Sequence, residues 1–111
     1  MDKGTINLNR RKVKNVILDM HQTLKKYGLD DNHIALFGSF YNGKPHKNSD
    51  MDIVIISKNF EGKNFLERIK MTSKAENEVI KKHVVPVDIL LKTPQEYDYS
   101  KENLFDSKVI I

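Results

Sequence analysis

The sequence predicts an α+β fold, a small mixed β-sheet flanked by helices, in a single domain of residues 1–111. Three observations carry that expectation. Val13, Val16, Ile17, Met20, Leu24 and Tyr27 recur at spacings that trace one face of a helix running from Asn9 to Tyr27. His33 to Phe37 and Met51 to Ile56 are short apolar runs of strand length, and the second is rich in β-branched residues. Between them, Gly38-Ser39 and a polar loop carrying Gly43 and Pro45 supply the punctuation of strand, tight turn, short helix, loop and strand.

Taken in order, the first helix ends at Gly28, with Lys25 and Lys26 placed at the negative end of its dipole. Asp30-Asp31-Asn32 reads as a turn into the strand at His33 to Phe37. Met51 to Ile56 is apolar on both faces, as an interior strand is. A second long helix is expected from about Gly62 to Lys82, burying Phe65, Leu66, Ile69, Ala75, Val79 and Ile80. Its weaker periodicity from Met71 to Ala75 marks a place for a break. Val84 to Leu91 is the third strand. Pro86 cannot donate to a ladder, so it belongs near the strand's beginning or on an exposed edge. Thr93-Pro94 opens a short turn or helix with a Thr cap and Pro in the first position. Residues 100–108 form another helical turn, and Val109-Ile110-Ile111 a small terminal strand. This order gives a mixed sheet with helices mainly on one side.

Composition narrows the function. The chain is 39% hydrophobic and 31% charged, in the range of ordinary globular domains rather than disordered ones. No apolar run approaches the length of a transmembrane helix, and the first residues lack the apolar core of a signal peptide. With no cysteine, disulfides and thiolate metal sites are excluded, and a cytoplasmic location is expected. The net charge of +4 is a mild bias toward polyanions such as nucleotides. Arg10-Arg11-Lys12 and Lys14 read as the wet face of the first helix rather than a nucleic-acid site. His21, His33, His46 and His83 lack the spacing of a helical zinc site.

The chemistry concentrates in two places. Gly38-Ser39 can offer backbone N–H groups and a hydroxyl to phosphate oxygens. Asp50 and Asp52, two apart at the mouth of a strand, point to one face of an extended chain. Asp88 lies inside an otherwise apolar strand, where an isolated charge is costly. If the strands of Asp52 and Asp88 are neighbours, three carboxylates meet at one edge of the sheet. Such a group repels itself unless protonated or bridged, and hard oxygen ligands suit Mg2+.

Gly38-Ser39, ten residues, then Asp50-x-Asp52, with Asp88 on a later strand, resembles the signature of the DNA polymerase beta-like nucleotidyltransferase superfamily. The likeness covers about residues 13–91. The short length resembles the minimal nucleotidyltransferases, among them antitoxins paired with HEPN-domain toxins. The resemblance implies a polymerase beta palm-like fold and catalytic, metal-holding roles for Asp50, Asp52 and Asp88. It implies phosphate contacts from Gly38 and Ser39, two Mg2+ ions when nucleotide is bound, and ATP or another nucleoside triphosphate as substrate. The reaction implied is transfer of AMP to a hydroxyl of a protein partner such as a HEPN-type toxin. The sequence departs from the pattern at Tyr41-Asn42-Gly43, where many minimal members carry Ala-Arg-Gly. The missing cation leaves Lys44 and Lys47 as replacements at the phosphates. It also sustains one alternative, a nucleotide-binding antitoxin or regulatory module that acts by binding its partner; a second alternative, independent of that departure, is a nucleotidyltransferase subunit acting on RNA or a small molecule. Tyr97 and Tyr99 are packing or surface residues.

Overall fold

The computed structural model describes residues 10–43, 45 and 50–111. Its elements follow in the order α1 (Arg10–Lys26), β1 (His33–Phe37), α2 (Gly38–Asn42), β2 (Met51–Ile56), a 3-10 turn (Lys58–Phe60), α3 (Phe65–His83), β3 (Val87–Lys92), α4 (Pro94–Asn103) and β4 (Ser107–Val109). The four strands form one mixed sheet in the order β3-β2-β1-β4. Strands β1 and β2 run antiparallel, β1 and β4 antiparallel, and β2 and β3 parallel. The expected α+β architecture is the observed one.

The two sheet faces are closed differently. Ile34, Leu36, Met51, Ile53 and Ile55 point to the face packed by Val13, Val16, Ile17, Met20 and Leu24 of α1 and by Ala75 and Val79 of α3. This is the main core, and Phe60 of the 3-10 turn is wholly buried in it. Ala35, Val54 and Ile56 point the other way, where Tyr97 of α4 covers them. β2 is therefore buried on both sides, as its sequence requires.

Local chemistry sets the helix ends. Asn64 caps α3 and Thr93 caps α4, each in a full capping box, with Glu67 and Glu96 returning to the cap N–H. Such a cap is worth about 1 kcal/mol. Val84 ends α3 in the left-handed region with φ 53, so the expected strand from Val84 begins three residues later, at Val87. Pro86 precedes β3, an edge strand, and its carbonyl accepts from the Met51 N–H at 3.0 Å.

Several expectations need correction. α3 is unbroken through Met71 to Ala75, and its fully buried stripe is Thr72, Ala75 and Val79. Phe65 and Leu66 are exposed, while Ile69 and Ile80 are half-buried. Tyr27 stays at the surface, where its hydroxyl donates to Glu78 at 2.7 Å. Residues 100–103 finish α4 rather than forming a separate turn. The terminal strand is Ser107–Val109, with Ile111 accepting from the Ile34 N–H at 2.9 Å just beyond it.

Candidate active site

The site grows from the junction of β1 and α2. Phe37 is the last residue of β1 and pairs with Asp52 in the antiparallel ladder. Gly38 turns the chain with φ 72, a conformation few side-chain-bearing residues adopt. The second constraint on Gly38 is space. A Cβ there would overlap Oδ2 of Asp52 and stand 3.0 Å from its Cγ. Glycine thus lets the turn rest directly on the carboxylate. Ser39 follows in α2, half-exposed, and among the described residues its hydroxyl has no partner. Phe37, not Ser39, occupies the cap position of α2, so the hydroxyl is not spent as an N-cap.

β2 and β3 place the carboxylates. Their parallel register sets Asp52 beside Asp88, and Asp50 sits two residues earlier at the mouth of β2. Neighbouring strands lie about 4.8 Å apart, so the Asp52 and Asp88 side chains emerge side by side on one face. Burial pushes the Asp52 carboxyl above its ordinary value. The negative fields of Asp88 and Asp50 push it further, as does a hydrogen bond with Asp88. Asp50 and Asp52 are half-buried and Asp88 is exposed.

This cluster gathers negative charge beside the Gly38 turn, and among the described residues none of its carboxylates has a salt-bridge partner. Those are the conditions that a hard divalent cation relieves. Among the described residues, no three His, Cys, Asp or Glu side chains stand in ready metal-ligand geometry. The assembled part is the Asp52 and Asp88 pair, with Asp50 acting from the strand entrance. The donor set, all carboxylate oxygens, fits Mg2+ in kind.

Other residues complete the surroundings. The Phe37 and Phe105 rings stack 4.5 Å apart, at an interplanar angle of 23°, on the carboxylate face. Leu90, two residues beyond Asp88, is exposed on that face. Neither Phe105 nor Leu90 is marked by the sequence as part of a site. Phe37 could have been found by counting the ladder back from Asp52, whereas Phe105 lies in the connection before β4 and carries no such signal. Tyr41 and Asn42 are exposed on α2. Lys44, His46 and Lys47, the loop cations and histidine singled out in the sequence, lie outside the described residues. Arg10, Arg11 and Lys14 are exposed on α1, as a solvated face requires.

A turn free of side chain thus rests against a paired carboxylate, on a mixed sheet of order β3-β2-β1-β4. Residues 12–111 match the nucleotidyltransferase domain family, and the chain belongs to that family. Solved structures agree on the fold. A candidate nucleotidyltransferase of Sulfolobus solfataricus superposes with a TM-score of 0.59 at 18% identity, over 94% of this chain and 89% of that one. A second candidate nucleotidyltransferase gives a TM-score of 0.56 at 23% identity, over 86% and 97%. A mutant of the toxin–antitoxin MntA–HpeT gives 0.56 at 19% identity, over 94% and 73%. A search of curated proteins finds no match. Among the described residues, no helix is long and apolar enough to cross a membrane.

Proposed function

We propose that the protein moves a nucleoside monophosphate, AMP from ATP, onto a hydroxyl of a partner protein, and that it serves as the antitoxin of a HEPN-type toxin. The observation that carries this reading is the seating of Gly38 on the Asp52 carboxylate, with Asp88 alongside. It supports the reading because the Gly38 turn and the carboxylates lie side by side, as binding of one triphosphate would require.

Asp50, Asp52 and Asp88 are the residues to hold Mg2+, as one ion or two, which when bound offsets negative charge on the triphosphate and the departing pyrophosphate. The Gly38 turn and the Ser39 hydroxyl bind the terminal phosphates, Ser39 donating its proton to a phosphate oxygen. Lys47, which follows α2 in the sequence, is the cation assigned to the phosphates. Asp88, the exposed member of the trio, faces the acceptor and takes its proton. The acceptor oxygen bonds to the α-phosphorus, the bond from that phosphorus to the bridging oxygen breaks, and pyrophosphate leaves. The structural likeness to the MntA–HpeT toxin–antitoxin supports a protein acceptor.

Asn42 favours a second reading. Where minimal members carry arginine, this exposed position of α2 offers no charge, and a module that neutralises its partner by binding alone would tolerate the loss. The experiment is incubation with α-labelled ATP, CTP, GTP or UTP and Mg2+, with and without the product of the adjacent gene, repeated for Asp50→Asn. Label on the partner that disappears in the variant supports transfer. Metal-dependent nucleotide binding without label on any protein supports the binding module.

A further inference from the structure

A groove of about 700 Å3 follows α4 from its first turn to its last, beside the end of β3. That volume is in the range of pockets that hold a small organic molecule. Arg68, Glu61, Lys92 and Glu96 line it near the start of α4, and Tyr99 and Leu104 line the stretch toward the helix end. Leu104 closes α4, and the next residue, Phe105, stacks on Phe37, the ladder partner of Asp52. The Leu104 end of the groove is therefore the end nearest the carboxylates. The strand beneath leads the same way. Asp88 and Lys92 share one face of β3, about 13 Å apart, with Leu90 between them on that face.

The side chains along this path say what it holds. Leu90 is 38% exposed, Tyr99 62% and Leu104 64%. An apolar group left singly at a surface needs no explanation, but three along one path from the carboxylates mark a place where a ligand excludes water. Charge narrows the ligand. Among the described residues the charged lining is Arg68 and Lys92 against Glu61 and Glu96, two cations matched by two anions. Arg68 is tied to Glu96 at 2.6 Å, and the Lys92 charge acts on Glu96 as well. A lining balanced in this way gives no preference to a phosphate or to a charged side chain. It suits an uncharged planar group, with a ring face for Tyr99 and a polar edge for the groups around it.

We infer that this groove takes the base of the nucleoside triphosphate whose phosphates meet the Gly38 turn, with Leu90 and Leu104 against the ribose and Tyr99 stacked on the base. The inference rests on the transferase reading proposed above and adds to it how the nucleoside is held. The stretch of β3 from Asp88 to Lys92 leaves room for a nucleoside laid along the strand from the reacting phosphate. Stacking accepts any base but strengthens with the size of the ring face. The groove therefore favours ATP and GTP over CTP and UTP.

The test compares ATP with inorganic tripolyphosphate, which keeps the phosphates and lacks the nucleoside. Calorimetry with and without Mg2+ is run on the full chain and on Tyr99→Ala, Tyr99→Phe and Leu104→Ser. Both positions are exposed, so the variants keep the fold, which circular dichroism checks. In Tyr99→Ala the affinity for ATP should fall roughly tenfold while that for tripolyphosphate holds, and Tyr99→Phe should restore it. Unchanged ATP affinity in Tyr99→Ala and Leu104→Ser overturns the inference and leaves the groove to the acceptor. Equal losses for both ligands overturn it too. The two readings fail separately. Mg2+-dependent tripolyphosphate binding with no effect of Tyr99 strikes the groove alone, whereas ATP binding that needs Tyr99 but not Mg2+ strikes the transferase reading alone. A native chain that binds neither ligand strikes both.

Discussion

Gly38 carries two constraints at once, a left-handed backbone and the absence of a side chain against Asp52. Either alone would tolerate an occasional substitution, but together they forbid one. Gly38→Ala is expected to force the turn and the carboxylate apart, costing about 1–3 kcal/mol in chemical denaturation and abolishing nucleotide binding in calorimetry. Asp52→Asn should behave oppositely in stability, since it removes repulsion between neighbours in the parallel register. Its unfolding free energy is predicted to match or exceed that of the native chain, within about 1 kcal/mol, while nucleotide binding is lost. At this scale the meeting of Gly38, Asp52 and Asp88 was legible, because the candidate site is marked by spacing. Gly38-Ser39, Asp50-x-Asp52 and an acid inside an apolar strand are patterns that few structural roles explain. Phe105 was not legible, because its contact with Phe37 is made only once α4 and β4 have brought it back to the sheet.

At the scale of elements, the joint between α3, β3 and α4 is held by Arg68. Its guanidinium pairs with Glu96, binds the Leu91 carbonyl and lies 5.7 Å from the centroid of the Phe60 ring. Arg68→Ala should cost about 1.5–3 kcal/mol in denaturant unfolding, through lost packing as well as lost charge. The pair also sets an acid response. The hydrogen bond from Arg68 holds the Glu96 carboxyl below its ordinary value of 4.5, outweighing partial burial. A lowered carboxyl stabilises the fold above its unfolded value, and that contribution disappears as pH falls through the folded value. The Glu96 side chain is 45% exposed, so solvent screening limits the effect to under about 1 kcal/mol, lost below pH 4.5 and absent in Glu96→Gln. Strand limits were legible for β1 and β2, where composition changes abruptly on both sides. Helix faces were less so. Periodicity gives the phase of α3, but it does not say which turns have a neighbour to pack against. Phe65 and Leu66 of the first turn therefore remain exposed while Thr72 and Ala75 are buried. Val84 looked like strand by type, yet it is spent ending α3 in a left-handed turn.

The whole molecule separates stability from chemistry. One sheet face is sealed by α1 and α3, and most of the buried apolar side chains lie there. The other is covered by α4 around Tyr97, while Asp88 and Leu90 of β3 remain exposed on it. Phe60→Ala, on the sealed side, is expected to cost about 3–5 kcal/mol of unfolding free energy. Where the variant remains folded, its ATP affinity should stay near that of the native chain. The layered architecture was legible because its longest elements and its interior strand announce themselves in hydrophobic pattern. The separation of the faces was not, since it depends on where α4 settles.

The central claim is that Gly38, Asp52 and Asp88 form one site for a nucleoside triphosphate and a divalent cation. Isothermal calorimetry of ATP with the native chain and with Asp52→Asn, each in Mg2+ and in excess chelator, tests it most directly. The account predicts binding in the native chain that requires Mg2+ and falls at least about tenfold in the variant, with both proteins equally folded. Binding of equal strength in all four titrations would contradict it.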